Sequence, residues 1–162
     1  MRKCFSAMAA VFALAIGLSA QPSPHVLSQR DIDRFVKDFP AIARELDQSG
    51  PNFDREVAKA QEKPGSFTPA AVKSTLRAAA ADEKVRETLE KYGWNDRFWD
   101  VYYVVFVGVY VSMMDQALEQ YPSPELKAQV DRFRASIPKD DHTLVLRNLT
   151  ALVEAFDYAA EP

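Results

Sequence analysis

Asp96 and Asp100 stand one helical turn apart, with Trp94 and Trp99 beside them. The other place in this 162-residue chain where acid/base chemistry could arise is the Asp141-His142 pair. Two carboxylates at i and i+4 share a helix face. An apolar indole wall raises a carboxyl pKa towards neutrality, and one member of such a pair can then act as a general acid. The same residues have a plainer use, since acids in the first turn of a helix interact favourably with its dipole. Asp115 cannot join Asp100 on one substrate, because fifteen residues of helix would hold them roughly 22 Å apart.

Nucleophilic triads need a histidine, and the chain has only His25 and His142. His25 lies among Pro22 and Pro24 in a segment whose composition predicts a flexible start. His142 follows Asp140 and Asp141, where capping of a helix by Asp140 or Asp141 accounts for the acids. The patterns of a nucleophile elbow, a zinc-binding helix, a P-loop and a dinucleotide turn are all missing. The only cysteine, Cys4, falls within the apolar start of the chain. No metal site and no cofactor are therefore implied.

Aromatic residues give a different candidate. Tyr92, Trp94, Phe98, Trp99, Tyr102, Tyr103, Phe106 and Tyr110 crowd one stretch. Packing absorbs most of them, but tyrosines and tryptophans carry polar tips that need partners and are apt to line a cleft for an apolar ligand or a partner helix. The candidate ligand- or partner-binding residues are Trp94, Trp99 and Tyr103, with Asp96 and Asp100.

The elements that must position these residues begin after a leader. Arg2 and Lys3, the uncharged run Phe5 to Leu18 and the small-residue end Leu18-Ser19-Ala20 read as a secretory signal peptide cleaved before Gln21. The short basic start favours bacterial export, to the periplasm or the medium. The chain carries a net charge of −3, and loss of Arg2 and Lys3 makes the mature protein more acidic. Basic and acidic residues alternate along helices, as in Arg30-Asp31-Ile32-Asp33-Arg34. Such a surface lacks the basic face that nucleic-acid binding requires. With Cys4 removed, the fold has no disulfide and rests on packing, which a single domain of this size supports. The uncharged run Val101 to Met114 is shorter than the about 20 residues of a membrane span, so no stable membrane insertion follows cleavage.

Residues 21–27 are expected to be flexible, and residues 28–162 to form one helical domain. Ser28 and Asp31 open a helix at capping-box spacing, and Pro40 ends or kinks it while Ile42 and Leu46 extend its apolar face. A weaker helix is expected over residues 53–62. Thr68-Pro69 caps the next, Asp82 restarts the chain after a break near Ala81, and Gly93 serves as a C-terminal cap. Asn95 caps the most apolar helix, about 96–120, which is apolar nearly all round and so belongs at the centre of a bundle. The run Val101 to Val107 also has strand-like composition, but no other segment offers a sheet partner. Mid-helix Gly108 marks a close approach by a neighbouring helix. Ser123-Pro124 starts a helix reaching Ile137, and one last helix buries Val145, Leu149, Leu152, Val153 and Phe156. The fold class is all-α, a compact bundle of six to eight short helices around the central apolar one. Asn148-Leu149-Thr150 matches the N-glycosylation pattern, which is silent in a bacterial envelope protein.

The segment Lys91-Tyr92-Gly93-Trp94-Asn95-Asp96-Arg97-Phe98, followed by a long apolar helix, resembles small secreted all-helical proteins of bacteria with no assigned function. Ser28 to Pro40 is similar to their first helix. The resemblance implies a helical fold and brings no catalytic residues. The resulting expectation is an exported, soluble protein, a monomer or weak dimer, that binds an envelope protein or a small apolar ligand without catalysis. The alternatives are a carboxylate-based hydrolase and a structural or assembly subunit of the cell envelope.

Overall fold

The computed structural model describes residues 25–49 and 67–160. The signal peptide, residues 21–24 and the helix expected over residues 53–62 lie outside them. Seven helices are present among the described residues, with no strand. They are α1 (Gln29–Ser49), α2 (Pro69–Ala80), α3 (Glu83–Lys91), α4 (Arg97–Gln120), α5 (Pro124–Arg134), α6 (Lys139–Arg147) and α7 (Leu149–Ala160).

Helix α4 is the axis of the bundle and packs against α1, α2, α5, α6 and α7. The valine-rich run at 101–107 is helical, and Val101, Val105, Val107 and Val111 are fully buried. Tertiary burial on all sides outweighs the modest helix penalty of β-branched residues. Among the described residues, α4 is the one helix long and apolar enough to cross a membrane. Half of that apolar stretch is buried by its neighbours. Gly108 is what lets α6 approach: a Cβ at that position would fall 2.7 Å from Cγ1 of Val145.

Two ring clusters absorb much of the aromatic stretch. Phe35 and Phe39 of α1 stack at 4.7 Å, and Phe156 of α7 meets Phe39 edge-on at 5.0 Å. Phe98 and Tyr102 complete that group. Phe67, just before α2, packs on Phe133 at 4.8 Å and on Tyr110 at 5.3 Å.

Local punctuation follows the residue types. Ser28 N–H donates to the Asp31 carboxylate at 2.8 Å and Asp31 N–H to Ser28 Oγ at 3.3 Å, a reciprocal capping box. Thr68, Asp82 and Ser123 each accept backbone N–H groups at the start of their helices. Gly93, at φ 72°, closes α3: its own N–H reaches Glu90 O at 2.8 Å and that of Trp94 reaches Leu89 O at 2.9 Å. This is the Schellman pattern, and the left-handed residue it needs is the glycine.

Of the two outcomes expected at Pro40, the helix does not end there: α1 runs on to Ser49, because burial of Phe39 and Ile42 on one face outweighs the single backbone bond that proline removes. Two expectations need correction. Helix α5 ends at Arg134 rather than Ile137, which is buried in the turn that follows. The last helix is two, α6 and α7, divided at Asn148. The Asn148 side chain donates to Leu144 O at 2.9 Å and bonds Gln29 of α1, so it serves the break. Ahead of α1, Leu27 is buried and its N–H is bound, as described next.

Candidate functional site

Helices α2 and α4 run antiparallel. Phe67 lies beside Phe106 and Tyr110 on α4, while Lys73 holds its ammonium 4.6 Å from the Tyr103 ring. Each helix therefore turns one stripe towards a shared cleft of about 470 Å³. On α2 the stripe is Lys73, Leu76, Arg77 and Ala80; at the start of α4 it is Asp96, Trp99, Asp100 and Tyr103. Both sets have the i, i+3, i+4, i+7 spacing of one helical face. Val26, ahead of α1, and Ser136 and Pro138, between α5 and α6, complete the lining.

The stripe on α4 begins where it does because Asn95 stops the chain before it. Asn95 Oδ1 accepts the Arg97 N–H at 3.0 Å, although the backbone enters the helix at Asp96. Asp96 and Asp100 are thereby left facing solvent at the cleft mouth. Among the described residues, the side chains of Arg77, Asp96 and Asp100 make no hydrogen bond or close ion pair, though the Asp100 charge is felt by Arg97. The walls are oppositely charged, basic on α2 and acidic on α4, and the floor is apolar. Trp99 is half-buried, held edge-on by Phe98 at 5.2 Å.

Tyr103 closes the inner end. Its phenol lies 2.7 Å from Ser136 Oγ, and Ser136 Oγ is also 2.7 Å from the Phe133 carbonyl. A hydroxyl has one proton to give. Ser136 gives it to the carbonyl, so Tyr103 donates to Ser136. Burial pushes the Tyr103 phenol above its ordinary pKa, an effect that the Ser136 hydrogen bond only partly offsets. This neutral, fully engaged hydroxyl pair anchors the cleft wall.

Of the five residues singled out from sequence, the cleft gathers Trp99, Tyr103, Asp96 and Asp100. Trp94 is elsewhere. It is 3% exposed, packs on Phe98, donates from Nε1 to Asp38 at 3.1 Å and lies under the Arg34 guanidinium at 4.1 Å. The Schellman turn at Gly93 sends it towards α1, so it is a core residue.

The acids before α6 also differ from expectation. Asp141 caps nothing. Its carboxylate is fully buried in the first turn of α6 and accepts the N–H groups of Val26 at 2.9 Å and Leu27 at 3.0 Å, with His25 Nδ1 as a third partner. The N-cap position is Pro138, which makes no side-chain cap bond. Asp141 thus ties the segment before α1 to the far end of the bundle. His142 points away from that clasp. Burial, with the Arg134 charge, holds its pKa below the ordinary value, and Nε2 is buried without a partner. Asp141 and His142 do not act as a pair.

The residues overlooked from sequence are Lys73, Arg77 and Ser136. The signal was present as the spacing of Lys73, Leu76, Arg77 and Ala80, but two cations on a helix ordinarily mark a solvated face. Only the neighbouring acidic wall gives them another meaning. Val26 joins the cleft through the clasp and through its carbonyl, which accepts from Arg97 at 3.0 Å.

No protein family, curated protein or solved structure matches this chain.

Proposed function

We propose that this is an exported, soluble protein that acts by binding, and that the α2–α4 cleft is its site for a small ligand with an apolar body. One observation carries the reading: a half-buried tryptophan lies in a formed cleft with an apolar floor and charged rims. Ligand sites combine a concave apolar surface with a few placed polar groups. The apolar surface is that of Val26, Leu76, Val104 and Trp99, and the polar groups are those of the two walls.

A hydrolase is the weaker reading. The cleft carboxylates are exposed at its mouth, and the buried acid, Asp141, spends both oxygens on backbone N–H groups and His25. Acid/base work needs a group within hydrogen-bond reach of its partner. The Tyr103 hydroxyl meets only Ser136, and Ser136 is committed to a carbonyl.

Titration of the mature protein with the neutral fluorophore N-phenyl-1-naphthylamine tests the cleft. Saturable binding lost in Trp99→Ala and retained in Trp94→Phe supports the reading, and binding untouched by Trp99→Ala removes the cleft from it. Export is tested separately by expressing the tagged full chain in a Gram-negative host. A periplasmic product beginning at Gln21 supports it, and an intact chain in the cytosol ends it.

A further inference from the structure

Taking the cleft as the binding site just proposed, we infer that its ligand is a zwitterion with ends far apart, of the class of a short unblocked peptide of about three residues. The charge arrangement carries this. Lys73 and Arg77 stand on one wall and Asp96 and Asp100 on the other. The side chains of Arg77 and Asp96 have no hydrogen bond or ion pair among the described residues, Asp100 stands near the Arg97 charge, and the Lys73 ammonium rests on the Tyr103 ring.

A neutral apolar ligand can fill the floor but gains nothing from these exposed charges, which keep their water. A ligand with one charge gains from one end only. A ligand carrying both signs complements both. The carboxylate belongs at the inner end, beside Lys73, and the ammonium at the mouth, beside Asp96, while Arg77 and Asp100 lie on opposite walls between these ends. Charge-assisted hydrogen bonds at each end would add directionality.

Spacing sets the length. Lys73 sits at Tyr103, and Asp96 lies seven residues back along the same helix face. At 1.5 Å per residue these ends are about 10 Å apart. An extended peptide advances about 3.3–3.6 Å per residue, so about three residues join them. Trp99 and Leu76, between the ends, meet the middle side chain, which favours an apolar one.

The test is calorimetric titration of the mature protein with alanyl-leucyl-alanine, its N-acetyl derivative and its C-terminal amide, with N-phenyl-1-naphthylamine as a neutral reference. The unblocked peptide should bind about tenfold more tightly than either blocked form, the difference of one charge-assisted contact. Lys73→Gln should erase the preference over the amide while keeping that over the acetyl form, and Asp96→Asn should do the reverse. All four side chains are on the surface, and near-native circular dichroism of the variants checks that they fold. If the fluorophore binds but blocked and unblocked peptides bind alike, the zwitterion inference fails and the cleft remains a binding site. If a preference is found for one end only, the inference fails as well. If neither peptide nor fluorophore binds, both readings fall.

Discussion

Asp141 and Asp96 hold similar places in the sequence, each an acid where a helix begins, and opposite places in the molecule. Asp141 is fully buried and receives two backbone N–H groups from a segment more than a hundred residues away. Asp96 is exposed at the mouth of a cleft, its carboxylate without a hydrogen bond or ion pair among the described residues. One carboxylate is consumed by the fold and the other is not. The contrast shows that an acid at a helix start says little about its role until its long-range neighbours are known. Buried and satisfied acids mark architecture; solvated ones beside a cavity are those the binding proposal draws on.

The sharpest way to break this contrast is Asp141→Ala. It leaves the Val26 and Leu27 N–H groups without an acceptor, and breaking a buried, hydrogen-bonded charge costs about 3 kcal/mol or more. Urea unfolding should show that loss, whereas Asp96→Ala should stay within about 0.5 kcal/mol of the parent. Equal effects would undo the distinction.

Gly108→Ala tests the contact that seats α6 and its Asp141. The added methyl would overlap Val145, for a loss of about 1–3 kcal/mol, and Gly108→Ala with Val145→Ala should recover part of it. A neutral or stabilising single variant would show that α6 yields freely.

Acid separates the two classes of carboxylate further. Burial alone would raise the Asp31 pKa, but hydrogen bonds from Arg97 and Ser28 outweigh it and hold it at about 2, below the ordinary 3.8. A depressed carboxylate stabilises the fold above its unfolded pKa, and that contribution is lost as pH falls through the folded value. Thermal stability should therefore drop between pH 3.8 and about 2, with a shallower drop in Asp31→Asn. An identical profile in the variant would exclude Asp31 as a contributor.

The smallest effect on folding belongs to the cleft. Asp96→Asn with Asp100→Asn should leave the urea midpoint nearly unchanged while weakening ligand binding. A large stability loss there would move these acids into the architectural class.

Most of the helical punctuation was legible because it depends on neighbours in sequence. Ser28 with Asp31, Thr68-Pro69, Asp82, Gly93 and Ser123 act on backbone groups within a few residues, and such bonds form in whichever fold contains them. Gly108 was legible as a close approach, though not by which helix. Whether α1 would end at Pro40, and the break at Asn148, were not, since each is settled by packing or bonding to a distant element. In the candidate site, Asp96, Trp99, Asp100 and Tyr103 were recognisable as a stripe of mixed chemistry. Trp94 was misplaced because Asp38 and Arg34, which hold it, lie more than fifty residues away.

By itself, then, the amino-acid order determined that this chain is helical, where most helices start, and that the valine- and aromatic-rich one is central, since periodicity and capping are short-range effects. Only the tertiary structure decided that Lys73 and Arg77 face Asp96 and Asp100 across a cleft, and that Asp141 clasps Val26 and Leu27. Both depend on which helices become neighbours, and burial of apolar surface is non-directional enough that sequence spacing alone does not select the pairing.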